Sequence, residues 1–318
     1  MGAILITGAA GFIGSHVGEL LLKRSERVIG YDNLDPYYDP RIKRRNLNAL
    51  SDYLNFTFIE GDVRDAEKLN HVVKTQEVDR IVHLAALANV RVSVNRAADF
   101  TAVNVGGTVN VLEAARAVNA AHVVIASTSS VYGETNRVPF SEDDPAINPL
   151  APYPATKRAA ELMSHAFHNL FQLPTTALRF FNVYGPRGRP DMTPYKWTQA
   201  ILKGEPITLF NKGEMKRDWT FIDDTAKGVV AALDHPNGFG IYNLGRGEPV
   251  LMSDFVQIIE EITGKSAIIQ ETVAPPSDPS VTYADVTLAR KTFGYNPQVS
   301  IADGLQKFWE WFRLANSL

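Results

Sequence analysis

Short apolar runs alternate with amphipathic stretches through the first half of the chain. Residues 3–7 (Ala3-Ile4-Leu5-Ile6-Thr7) form a uniformly apolar run that predicts a buried strand. An amphipathic stretch over residues 13–23 follows and predicts a helix. The alternation recurs, with further strands expected over residues 27–32, 56–59, 80–86, 122–127 and 175–180. Apolar strands separated by helical stretches predict a parallel sheet joined by right-handed crossovers. Beyond Arg179 the rhythm loosens. Residues 185–190 read as a loop, residues 223–244 as a helix then a strand, and Pro275, Pro276 and Pro279 break the C-terminal third.

The junction between first strand and first helix carries Gly8, Gly11 and Gly14. A strand, a glycine turn and a helix in that order form the seat of a dinucleotide pyrophosphate. Glycine allows the tight turn, close approach of the phosphates and close helix–strand packing, and the helix N-terminus offers free N–H groups to the anion. The second strand ends at Asp32, followed by Asn33. A carboxylate there accepts from adenosine ribose hydroxyls and repels a 2′-phosphate, which favours NAD over NADP. Asp62, after the third strand, can accept from the adenine amino group, and Asp65 can cap the next helix. Leu84, Ala85 and Ala86 leave room for a ligand at the fourth strand's end, where His83 reads as structural. The run Arg41, Lys43, Arg44 and Arg45 reads as a solvated helix face. The expected fold is therefore α/β: a Rossmann-type doubly wound parallel sheet over residues 1–179, with a smaller mixed α/β C-terminal substrate lobe over residues 180–318. Residues 223–244 are expected to return to the first lobe, which interleaves the boundary.

Composition narrows the function class. The 318 residues carry a formal net charge of −3, which argues against general attraction to nucleic acid or anionic membrane. No cysteine is present, so disulfides, thiolate metal sites and thiol nucleophiles are excluded. With no apolar run long enough to span a bilayer and no basic-then-apolar leader, a cytoplasmic protein is expected.

The chemistry falls after the fifth strand. Ser127, Thr128, Ser129 and Ser130 place hydroxyls at a strand's carboxyl end, and Tyr153 and Lys157 follow at the start of a helix. Tyrosine and lysine four apart share a helix face. The ammonium is expected to favour phenolate and lower the phenol's pKa. Such a tyrosine takes a proton from an alcohol while the alcohol's hydride passes to a nicotinamide.

Together these motifs resemble the extended short-chain dehydrogenases/reductases, in particular the nucleotide-sugar epimerases, over nearly the whole chain. Residues 7–14 match the family's cofactor turn, Tyr153 and Lys157 its catalytic pair, and Thr128 the hydroxyl that bonds the reacting alcohol. The resemblance implies NAD as cofactor, held by Gly8, Gly11, Phe12, Ile13, Gly14, Asp32, Asn33, Asp62, Val63, Leu84, Ala85, Ala86, Asn104, Ser127, Tyr153, Lys157 and Phe181. It implies a UDP-sugar substrate, held by Arg91, Thr128, Ser129, Ser130, Asn182, Arg189, Thr208, Leu209, Phe210, Arg217 and Asp278. A homodimer follows as a family expectation, motivated by the apolar helices near residues 103–118 and 155–171.

Two features separate subfamilies. Related dehydratases place Asp-Glu directly after the catalytic Thr, whereas Ser129 and Ser130 stand here, so elimination lacks its acid and base. Residues 185–192 resemble the loop of UDP-glucuronate 4-epimerases, and an arginine there, Arg189, suits a sugar carboxylate. The expected reaction is NAD-dependent 4-epimerisation of UDP-glucuronate to UDP-galacturonate. UDP-glucuronate decarboxylation, UDP-galactose 4-epimerisation and a non-catalytic NAD-sensing role on the same fold remain alternatives. Pro275 stands where UDP-galactose 4-epimerases often carry an arginine.

Overall fold

β1 (Ala3–Thr7) is fully buried and its alternate residues serve two cores. Ile4 and Ile6 pack on one sheet face with Val82, Val124 and Leu178; Ala3 and Leu5 pack on the other with Ile81, Val123 and Ala177. A strand covered on both faces reads as continuously apolar, which is why the local pattern was legible. The computed structural model describes residues 2–135, 137–276 and 278–316.

In chain order, β1 leads to α1 (Phe12–Lys23), β2 (Val28–Asp32), α2 (Pro40–Ser51), β3 (Phe56–Glu60), α3 (Ala66–Thr75) and β4 (Val78–His83). Asp65 caps α3, accepting from Lys68 N at 3.0 Å. Two short helices follow, α4 (Val90–Ser93) and α5 (Ala97–Phe100), and a π-helical turn over Thr101–Gly106 runs into α6 (Gly107–Ala117). Then come β5 (His122–Thr128), α7 (Pro152–Phe171) and β6 (Thr175–Phe180). The remaining elements are β7 (Asn182–Tyr184), α8 (Thr193–Lys203), β8 (Pro206–Phe210), β9 (Lys216–Phe221), α9 (Ile222–Leu233) and β10 (Phe239–Leu244). β11 (Pro249–Leu251), α10 (Met252–Thr263), β12 (Ile268–Thr272), α11 (Thr287–Phe293) and α12 (Ile301–Ala315) complete the chain.

The main sheet has the order β10-β6-β5-β4-β1-β2-β3, with every pairing parallel. The chain steps outward from β1 to β2 and β3, then returns to the other side of β1 for β4 and proceeds the opposite way. That reversal opens a crevice at the carboxyl ends of β1 and β4, the place where doubly wound sheets hold ligands. β10 pairs with β6 from Phe239↔Thr175 to Leu244↔Phe180. β11, β9 and β7 form a separate three-stranded sheet, and β12 pairs with β8.

Three local readings differ from the structure. β4 stops at His83, so Leu84, Ala85 and Ala86 are loop. The helix expected from about residue 103 begins as a wider π turn. Lys43 is 8 % exposed, not solvated. Among the described residues no helix is long and apolar enough to cross a membrane.

Candidate active site

The glycine turn is built by close approach. Gly8 has φ +74°, and a Cβ there would stand 2.7 Å from Ala85 N, against the loop after β4. A Cβ on Gly14 would lie 2.2 Å from Gly8 O. The first turn of α1 has neither an acidic residue nor a side-chain cap, so its N–H groups face the crevice unpartnered by side chains. This cradle fits a pyrophosphate. Beside it, Asp32 accepts from Ala10 N at 3.1 Å and Leu34 N at 2.8 Å, with Lys43 Nζ 3.9 Å away. Burial pushes the Asp32 carboxyl above its ordinary range, while Lys43 and the two N–H donors work against that. Asp62 is held down to about 2, chiefly by its hydrogen bonds with Arg64, and it also accepts from Asn33 Nδ2 at 2.9 Å.

The reacting groups meet where α7 starts over the end of β5. Pro152 and Pro154 occupy the first turn of α7, where a missing N–H costs nothing. Tyr153 N donates to Ser93 Oγ at 3.1 Å, and the Thr128 hydroxyl, which lines the same cavity, favours ionisation of the phenol. Lys157 is 3 % exposed and donates from Nζ to Ala126 O at 2.9 Å. Burial pulls Lys157 down to about 8. Burial also pushes the Tyr153 phenol up, against Thr128 and Arg189. This reverses the expected direction for Tyr153: desolvation of the ring outweighs the stabilising donors, and Lys157 points to a backbone carbonyl. His83 is structural, with Nδ1 2.7 Å from Thr7 Oγ1 and Nε2 3.0 Å from Thr108 Oγ1.

These groups share one cavity of about 770 Å³, which runs from Gly8 past Tyr153 to Arg217 and Asp278. At its far end Arg91 bonds Asp278 at 2.8 Å and lies 5.0 Å over the Phe210 ring. Asn182, Arg189, Ser129 and Ser130 also line it. Arg189 is paired with Asp191, Nε to Oδ1 at 2.9 Å and NH2 to Oδ2 at 2.6 Å.

Residues 4–245 match the NAD dependent epimerase/dehydratase family. The chain belongs to that family. It is 40% identical over 312 residues to the UDP-glucuronate 4-epimerase of Thermodesulfobacterium geofontis, covering 98% of this chain and 96% of the relative. It resembles the solved UDP-glucuronic acid 4-epimerase of Bacillus cereus in complex with UDP-glucuronic acid and NAD, with TM-score 0.92 and 35% identity over 98% of this chain and 99% of that one. A dTDP-glucose 4,6-dehydratase from Bacillus anthracis, in complex with NAD, matches at TM-score 0.89 and 26% identity over 100% and 98% of the two chains. NAD is thus the cofactor of the family whose turn this chain carries.

Four residues expected at the family's site lie off the cavity wall. The amide of Asn104 is occupied: Oδ1 accepts from Leu87 N at 2.9 Å, and Nδ2 donates to Leu87 O and Thr156 Oγ1, each at 3.0 Å. Thr208 is exposed on β8, Leu209 packs into the core, and Phe210 supports Arg91 from behind. Conversely, Tyr37, Asp191, Lys196 and Trp219 line the cavity with no role expected for them, and so does Lys43, expected on a solvated helix face. Trp219 Nε1 is buried with no protein partner. The signals for these residues were weak. Asp191 follows Arg189 by two, and Lys43 sits inside a basic run where only packing distinguishes it from its neighbours.

Proposed function

We propose that this protein interconverts UDP-glucuronate and UDP-galacturonate by epimerisation at carbon 4. The observation that carries the reading is one cavity holding the Tyr153–Thr128 pair, two serines in place of an elimination acid and base, and Arg189. The likeness to proteins named for this reaction supports it.

NAD, when bound, supplies reversible hydride acceptance from the sugar's carbon 4. Tyr153, as phenolate, takes the proton from the 4-hydroxyl and later returns it to the re-formed alcohol. Thr128 holds the reacting oxygen toward Tyr153. Thr128 and Arg189 favour the phenolate against burial, and Lys157, anchored on the Ala126 carbonyl, puts a positive charge on the same cavity wall. The 4-keto acid turns in the cavity between the two half-reactions. Its carboxylate must be kept from aligning with the ketone, since that alignment releases CO₂. Arg189 is assigned that restraint through charge-assisted pairing.

In this reading residues 1–179, with 223–244, hold the dinucleotide, and the rest of residues 180–318 holds the nucleotide sugar. Arg217, Arg91 and Asp278 serve the nucleotide end. The working form is a cytoplasmic homodimer, supported by Leu162, Leu170 and Phe171 standing exposed on α7. Incubation with UDP-glucuronate, followed by NMR and mass analysis, should give UDP-galacturonate with no loss of mass. A pentose or 4-keto pentose as main product would overturn the reading in favour of decarboxylation. No turnover with any UDP-sugar would favour a sensing role.

A further inference from the structure

Glu161 lies four residues after Lys157 on α7, has no exposed surface and forms no part of the cavity wall. A carboxylate withdrawn from water persists only when donors and cations match it. Both its oxygens are matched. Oε1 accepts from Ser127 Oγ at 2.5 Å and from Arg179 Nε at 2.9 Å. Oε2 accepts from Arg179 NH2 at 2.9 Å and Arg158 NH1 at 2.8 Å. Arg179 is itself 1 % exposed and lies 4.7 Å over the Tyr132 ring.

The bond to Ser127 completes a register. One face of α7, at positions 153, 157 and 161, meets three consecutive residues at the end of β5. Lys157 bonds the Ala126 carbonyl, Glu161 takes the Ser127 hydroxyl, and Tyr153 shares the cavity wall with Thr128. The contact made by Glu161 thus falls between Ala126, which anchors Lys157, and Thr128, although Glu161 touches neither substrate nor cofactor space.

We infer that Glu161 is a positioning residue for the Tyr153–Lys157 pair: it clamps the end of β5 to α7 through Ser127 and supplies the buried negative charge that keeps Lys157 an ammonium. The role in turnover rests on the epimerase reading above. The charged and titratable groups that act on Lys157 are Glu161 from its own helix and His83 from β4, whose ring is kept neutral by burial. The groups that face Glu161 are Arg158 from α7 and Arg179 from β6. Burial lowers Lys157 to about 8, and Glu161 acts in the opposite sense. Without its charge, Arg158, Arg179 and Lys157 would be left as three cations with no anion among them. Of the three only lysine readily sheds its proton.

The test compares wild type, Glu161→Gln and Arg158→Met. Lys157 is titrated by NMR of lysine-labelled protein, its signal assigned with Lys157→Arg. kcat, KM and NAD affinity are measured across pH. In Glu161→Gln the Lys157 titration should move down by about one unit or more. Above about pH 9 kcat should fall by about tenfold relative to wild type and recover as pH is lowered, with KM and NAD affinity within about threefold of wild type. Arg158→Met leaves Glu161 less neutralised and should move Lys157 upward, and this arm carries the test if Glu161→Gln does not fold. An unmoved Lys157 titration in the folded variants would overturn the inference and reduce Glu161 to a structural ion pair. A shifted titration in a protein that turns over no UDP-sugar would uphold the charge coupling and overturn the epimerase reading instead.

Discussion

Asp191 clasps Arg189 with both carboxylate oxygens along one edge of the guanidinium, at 2.9 and 2.6 Å, in the loop before α8. Its NH2 also donates to Ala88 O at 2.7 Å, and Tyr37 Oη donates to Asp191 Oδ2 at 3.1 Å. The arginine is therefore fixed in direction, with its charge already shared. Upstream in the same loop, Arg187 bonds Glu19 of α1 at 2.6 Å, tying the loop to the helix that leaves the glycine turn.

Removing the guanidinium should release the sugar carboxylate. Arg189→Ala should weaken UDP-glucuronate binding by about 10- to 100-fold, the range for a charge-assisted pair, and UDP binding much less. It should also raise the fraction of turnovers that end in a 4-keto pentose. Asp191→Asn keeps the shape but removes the competing charge, and should tighten UDP-glucuronate relative to UDP. Calorimetry and NMR product analysis check both. Normal binding and a pure 4-epimer from Arg189→Ala would move the restraint to Thr128, Ser129 and Ser130.

Tyr153→Phe should fold and bind NAD, because only the phenolic oxygen is lost and the backbone bond of Tyr153 N to Ser93 Oγ remains. Turnover should fall by about 10²–10⁴-fold, the usual contribution of a positioned proton acceptor. Activity within a few-fold of wild type would place the base elsewhere.

The cofactor pocket should prefer NAD to NADP. Asp32 keeps two backbone donors and lies 3.9 Å from Lys43, so a 2′-phosphate would meet a carboxylate as well as a cation. Calorimetry should show tighter NAD binding, and Asp32→Asn should narrow the gap. Tighter NADP binding by the wild type would show that Lys43 outweighs Asp32.

Acid should destabilise the protein through two buried histidines. Burial holds His16 and His83 down to about 3, whereas an unfolded histidine titrates near 6.5. Between those values the unfolded chain binds more protons than the folded one, so stability is full above pH 6.5 and falls as pH drops toward 3. Each histidine contributes a slope of up to about 1.4 kcal/mol per pH unit in that window. Urea unfolding at a series of pH values measures it, and a flat profile from neutral pH to pH 4 would contradict the assignment.

Much of the site was readable one segment at a time. Uniform apolar runs gave the strands because both sheet faces are covered. Gly8 and Gly14 marked the turn because no Cβ fits there, and Gly11 because a Cβ would crowd Gly8 O at 3.1 Å. Tyr153 and Lys157 were legible because a spacing of four is a property of one helix. Partners and solvation were not legible. Lys43 differs from Arg41 and Arg45 only in which side of α2 meets Asp32. Asn104 carries a ligand-binding amide in name, yet Leu87 and Thr156 arrive from distant segments to consume it. The Tyr153 phenol is raised by partial burial in a cavity wall built from several elements. Glu161 and Arg179, 18 residues apart, pair only because α7 packs on β6. Periodicity and turn chemistry are local and survive in the sequence alone; desolvation and charge pairing depend on which segments meet, and the tertiary structure decided those.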